Sequence, residues 1–131
     1  MPNTDVKRKS IPKAVRVKVY EKYDGHCAYC GCELEYKDMQ VDHLVPLYWH
    51  GGEDDLSNYM PACRSCNFYK STMTLEKFRE QLNTICERLE KDFTYRMARK
   101  YARVVEWDRK IPVVFYFEQV EKGVQGNLND G

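Results

Sequence analysis

Four cysteines fall in two pairs with metal-binding spacing, Cys27-Ala-Tyr-Cys30 and Cys63-Arg-Ser-Cys66. Between the pairs lie Asp42, His43 and Asn58, and Asn67 directly follows the second. Two thiolates two residues apart grip one ion, and four of them close its tetrahedral shell to substrate, so the expected metal is a structural Zn2+. A simple zinc ribbon separates its pairs by about 15–20 residues. Here 32 residues lie between Cys30 and Cys63, so the pairs read as a clamp at the base of an inserted hairpin. The competing reading is unliganded or disulfide-bonded cysteines. Cys32 is near enough to replace Cys30 as a ligand, although the spacing favours Cys30. Cys86 reads as a small core residue and not as a reactive thiol.

The residues inside the clamp suit phosphodiester hydrolysis, which needs an activated water, a cation to absorb developing charge, and a scaffold that aligns the two. His43 can accept a proton near neutral pH, because imidazole titrates at about 6.5. It is the candidate general base. A base needs its ring fixed in one tautomer, and the side-chain carbonyl of Asn58 is a candidate partner from the facing strand, although Ser57-Asn58 is also ordinary turn chemistry. Asp42 offers a hard anionic oxygen and Asn67 a neutral amide oxygen. An oxygen-only donor set favours Mg2+ or Mn2+ over metals that prefer imidazole. Lys70, three residues after Asn67, would share its helical face and could hold a phosphate oxygen, or stand solvated.

The ordered pattern Asp42-His43, Pro46, Gly51-Gly52, Asn58, Cys63-x-x-Cys66-Asn67-x-x-Lys70, preceded by Cys27-x-x-Cys30, resembles the HNH endonuclease family in its zinc-knuckle form, of bacterial or phage type. The resemblance covers residues from about 10 to 75. It implies a ββα-metal fold, hydrolysis of DNA with His43 as base, Asn58 as the middle asparagine, one catalytic cation on Asp42 and Asn67, and products with 5′-phosphate and 3′-hydroxyl ends. Many relatives carry His where this chain has Asn67, which leaves the metal preference open. The alternative is a non-enzymatic zinc-knuckle module that binds nucleic acid or protein, for which the two knuckles alone would suffice. The joint presence of Asp42, His43, Asn58 and Asn67 favours the enzyme.

These residues need elements to hold them. Ser10 can cap a helix with Pro12 in its first turn and an end near Gly25, its apolar face formed by Val15, Val19 and Tyr23. Val15, Val17 and Val19 also alternate as in a strand. Met39 to Val45 reads as a strand stopped by Pro46, and Gly51-Gly52 with Asp54-Asp55 as a surface loop. The second knuckle should open a short helix through Lys70. From Thr74, the spacing of Leu75, Phe78, Leu82, Ile85, Leu89 and Phe93 predicts a long core-facing helix, which Thr94 can restart as a second one carrying Tyr101, Val104 and Val105. Val113 to Phe117 reads as a late strand. The expected class is α+β, a ββα-metal hairpin-helix core clamped by a four-cysteine zinc site, with flanking helices. The expected layout is a basic arm over residues 1–10, one domain over 11–122 and a polar, Gly-rich, disordered tail over 123–131.

The chain has 131 residues, the size of one domain able to bury about two thirds of its surface. Its first ten residues contain no apolar run that could act as a signal peptide, and no segment approaches the roughly 20 apolar residues that cross a bilayer. The expectation is a cytoplasmic protein without a membrane partner, as monomer or homodimer. Net charge is +1 but unevenly spread. Residues 27–66 are acidic, whereas 1–26 and 67–103 are basic, which suits a cation in the centre and DNA on the flanks. Arg96, Arg99, Lys100 and Arg103 recur at helical spacing and could track phosphates, or form the solvated side of a core helix. Lys7, Arg8 and Lys9 carry the same two readings. No base-reading motif is present.

Overall fold

The central hairpin is short because its sequence allows little else. In the computed structural model, which describes residues 10–48, 50–104 and 111–123, strand β1 (Gln40–His43) pairs antiparallel with β2 (Tyr59–Ala62). Gln40 stands opposite Ala62 and His43 opposite Tyr59. The strand expected to reach Val45 stops at His43, and the chain then turns outward ahead of Pro46, with Leu44 N–H donating to Asn58 O at 2.9 Å. Helix α2 (Arg64–Lys70) follows β2 and packs on β1, as the second knuckle predicted. The result is an α+β architecture, a two-stranded hairpin and helix with further helices around it.

Helix α1 (Lys13–Glu21) packs against β2. It starts later than expected, since Pro12, in extended conformation (φ −61°, ψ 151°), is its N-cap. The Pro12 carbonyl accepts from the amides of Val15 and Arg16, and Ser10 lies two residues too early to cap it. Asp24 and Gly25, both at positive φ, end the segment. Val19 on this helix, Met39 and Tyr59 form a buried cluster, with Val15, Tyr20, Leu34 and Val41 packed around it. The helical reading of Val15 to Val19 therefore prevails over the alternating one.

Contacts divide the chain into two units, one running up to Leu75 and resuming at Val114, the other spanning Glu76–Val113. In the first, the late strand expected over Val113 to Phe117 is instead the entry to helix α6 (Tyr116–Glu121). The Glu118 carboxylate accepts from the Phe115 amide at 2.9 Å, which fixes a helical start where alternation alone suggested extension. Phe115 and Phe117 are buried against the Tyr29 ring, with centroids 5.6 and 6.2 Å away. The amides of Tyr116 and Phe117 donate to the carbonyls of Tyr29 and Ala28, at 3.0 and 2.8 Å. The C-terminal segment thus covers the first knuckle.

In the second unit the long helix predicted from Thr74 is three short ones: α3 (Leu75–Asn83, its first residue in the other unit), α4 (Ile85–Leu89) and α5 (Phe93–Lys100). Thr84, whose hydroxyl donates back to Glu80 O at 2.8 Å, leaves helical geometry (φ −105°, ψ 8°). Asp92 then caps α5 by accepting from the Tyr95 amide at 3.0 Å. Phe78 is buried, whereas Leu89 and Phe93 are exposed, so the apolar stripe does not face one core. Tyr101 is the C-cap of α5 and Ala102 has φ +57°, so neither they nor Val104 continue the helix. Val105, the basic arm up to Lys9 and the tail beyond Gly123 lie outside the described residues.

Candidate metal centre and hydrolytic site

The four cysteine sulfurs of Cys27, Cys30, Cys63 and Cys66 lie within 4.8 Å of one another, and Cys30 Sγ is 3.9 Å from Cys63 Sγ. A tetrahedral Zn2+ with bonds of about 2.3 Å needs sulfurs about 3.8 Å apart, so the cage fits the ion. Local backbone explains the cage. Gly31 adopts φ +80°, a left-handed turn that an L side chain resists, and lets its amide reach Cys27 O at 2.9 Å. Cys63 is the N-cap of α2, its sulfur accepting from the Cys66 amide. The Ala28 amide joins the knuckles by donating to Pro61 O at 2.8 Å. Hydrogen bonds from Cys27 and Cys66 lower the Cys30 thiol from its ordinary value. The cluster does not include Cys32, which is exposed.

Asp42 and His43 are adjacent yet both buried, and they look into different surroundings. Asp42 Oδ2 accepts from the Tyr29 hydroxyl at 2.5 Å and lies 3.0 Å from Lys70 Nζ. Burial, and then the Asp42 charge and hydrogen bond, push the Tyr29 hydroxyl far above its ordinary value, so it remains a donor. Lys70 is wholly buried and also donates to His43 O at 3.0 Å. A buried ammonium held by a carboxylate and a carbonyl is internally satisfied and out of reach of a phosphate, which corrects the DNA-contact reading of Lys70. Both of these contacts to Asp42 are made through Oδ2 and neither through Oδ1. Asn67 is half-buried on α2, three residues before Lys70.

On the other side, His43 Nε2 is 2.9 Å from Asp54 Oδ1. The partner expected from Asn58 is thus Asp54. Asn58 is buried but spent on the loop: its Oδ1 accepts from Val45 N at 2.9 Å, and its Nδ2 donates to Val45 O and Glu53 O, both at 2.8 Å. Both amide hydrogens of Asn58 and one lone pair of its oxygen are thus engaged in the loop, and the ring contact of His43 is made by Asp54 instead. Tyr59 packs edge-on against the His43 ring at 5.3 Å and donates to Asp54 Oδ1 at 2.9 Å. Sequence reasoning missed Asp54, Tyr59 and Tyr29. Asp54 could have been noticed as an acidic residue between Gly52 and Asn58, but spacing alone does not distinguish it from Glu53 or Asp55.

The basic face is interrupted. Arg96, Arg99 and Lys100 lie on α5, but Arg103 follows the helix end. Arg99 pairs with Glu90 at 2.7 Å, and Arg96 donates to the carbonyls of Glu90 and Lys91 and lies over the Phe93 ring. Arg96, Arg99, Lys100 and Arg103 are all exposed. Among the described residues no helix is long and apolar enough to cross a membrane.

Residues 27–72, which contain the hairpin, α2 and all four cage cysteines, match the HNH endonuclease family. Over that stretch the chain is similar to the HNH endonucleases, and the match takes in the hairpin, the helix that follows it and both cysteine pairs. Over 57 residues it is 35% identical to the CRISPR-associated endonuclease Cas9 of Actinomyces naeslundii, covering 44% of this chain and 5% of that protein. Over 88 residues it is 27% identical to an SPbeta prophage-derived protein of Bacillus subtilis named as an HNH endonuclease, YoqL, covering 59% of this chain and 36% of the relative. The crystal structure of the Type II-C Cas9 enzyme from Actinomyces naeslundii is similar at a TM-score of 0.49 and 28% identity, over 58% of this chain and 9% of that one. The chain thus spans a small part of the Cas9 proteins and about a third of the prophage protein.

Proposed function

We propose that the chain is a metal-dependent DNA endonuclease that hydrolyses phosphodiester bonds with His43 as general base. The observation that carries this reading is the pairing of a buried Asp42 and a buried His43 at the end of β1, each held by its own set of partners. Buried charged and polar groups of this kind cost stability unless they are satisfied, and active sites are where such groups are kept. Asp42, through Oδ1, and Asn67 would hold a Mg2+ or Mn2+ ion, which when bound supplies positive charge to the scissile phosphate and the leaving 3′ oxygen. His43 takes the proton of the attacking water. Lys70 and Tyr29 fix the Asp42 carboxylate through Oδ2, so that its other oxygen is presented in one orientation. The four-cysteine cage, filled by Zn2+, holds the two ends of the hairpin together and takes no part in the chemistry.

The test is a supercoiled-plasmid assay with and without Mg2+, comparing wild type with His43→Ala. The variant should cleave about 10²–10⁴ times more slowly, the usual cost of losing a positioned base, while DNA affinity changes little. Cleavage by the variant within a few-fold of wild type would remove His43 from the role.

A further inference from the structure

We propose that Asp54 is the positioning residue for His43, holding the imidazole with its proton on Nε2 and its lone pair on Nδ1. The inference rests on the reading of His43 as general base and adds the residue that sets which nitrogen does the work. Asp54 Oδ1 lies 2.9 Å from His43 Nε2. A carboxylate oxygen only accepts, so a lone pair on Nε2 would face another lone pair at this distance, and Nε2 must carry the proton. The lone pair of the neutral ring then sits on Nδ1, which becomes the nitrogen able to take a proton from water.

The carboxylate is itself held in place. The Tyr59 hydroxyl donates to the same Oδ1 at 2.9 Å, and Tyr59 stands opposite His43 in the hairpin register. Burial, the Asp54 hydrogen bond and the charges of Asp54 and Asp55 raise that hydroxyl to about 12, so it stays a donor. The loop bearing Asp54 is closed by Asn58, which bonds Val45 on one side and Glu53 on the other. Gly52 completes the closure: its amide donates to Pro46 O at 2.9 Å, and a Cβ there would fall 1.8 Å from Val45 O. The Gly-Gly turn and Asn58 therefore serve to bring Asp54 to the base.

The experiment measures the nitrogen shifts of the ring by long-range proton–nitrogen correlation on 15N-histidine-labelled, zinc-loaded protein, at mildly alkaline pH where imidazole is neutral. The three histidines are assigned with His43→Gln, His26→Gln and His50→Gln. Wild type should show His43 protonated on Nε2. In Asp54→Asn the amide can turn its N–H2 to the ring and favour the opposite tautomer, so the spectrum should change. The kcat should fall by about 10²–10⁴ with KM within a few-fold, because only the proton-transfer step is disturbed. Asp54→Glu, which keeps an acceptor, should recover the wild-type tautomer and part of the rate. Asp54→Ala, which offers the ring neither donor nor acceptor, should give a mixed tautomer, and serves if the Asn variant does not fold. A wild-type ring protonated on Nδ1, or a spectrum unchanged in both Asn and Ala variants, overturns the proposal whatever the rates do. If wild type cleaves no DNA with any divalent metal, the nuclease reading fails by itself and the spectra still decide the role of Asp54.

Discussion

The two units of the chain differ in whether any of their charged groups are paired inside. Around the end of β1 in the hairpin unit, polar groups are buried and paired: Asp42 with Tyr29 and Lys70, His43 with Asp54, Asn58 with three backbone atoms. In the Glu76–Val113 unit they are mostly at the surface, where Lys77 meets Glu80 at 3.5 Å and Arg79 meets Glu76 at 3.3 Å. Exposed pairs of this kind contribute about 0–1 kcal/mol each, whereas removing one partner of a buried pair costs about 3–5 kcal/mol. The difference teaches where mutation is tolerated. The first unit is specified residue by residue, and the second is a set of short helices tied by caps and a few long side chains, such as Arg79 reaching Val113 O at 2.7 Å.

The contrast is broken most strongly at the metal cage. Cys63→Ser should lose the bound Zn2+ and unfold the hairpin unit, since structural zinc supplies about 10–16 kcal/mol of apparent binding free energy in small zinc domains. Elemental analysis should give one zinc per wild-type chain, and circular dichroism should record the loss of structure in the variant. A folded, active preparation without zinc would end this account.

A smaller effect is expected at the aromatic lid. Phe117→Ala empties the space between Tyr23 and Tyr29, and should cost about 3–5 kcal/mol, read as a shift of the denaturant midpoint. Because Tyr29 donates to Asp42, the cleavage rate should fall as well. A midpoint change below about 1 kcal/mol would mean that α6 is not part of the core that supports the site.

The smallest stability change belongs to the second unit. The double variant Arg96→Ala, Arg99→Ala should lower stability by no more than about 1–2 kcal/mol, because neither side chain is buried. If the α5 face neutralises phosphates, the salt slope of DNA binding should drop by roughly two, and an unchanged slope assigns that face to solvent. Such a result would sharpen the division, with chemistry in one unit and at most backbone electrostatics in the other.

The four cage cysteines were legible because their signal is local. CxxC spacing depends only on how two thiolates two residues apart reach one ion, and Cys27, Cys30, Cys63 and Cys66 do converge. The helix opened by the second knuckle follows from the same turn geometry. Periodicity was a weaker guide: the stripe from Leu75 to Phe93 has helical spacing, yet Thr84 and Asp92 interrupt it by bonding to nearby backbone, a competition that apolar spacing does not register. What only the tertiary structure decided is who satisfies whom. Asp42 and Lys70 lie 28 positions apart and become a buried pair because α2 folds back onto β1. Phe117, from the far end of the chain, closes over Tyr29. Asp54 makes the ring contact expected of Asn58, while the amide of Asn58 closes the loop. A sequence displays the donors and acceptors that must be satisfied on burial, but their pairing depends on distances that exist only after the chain has folded.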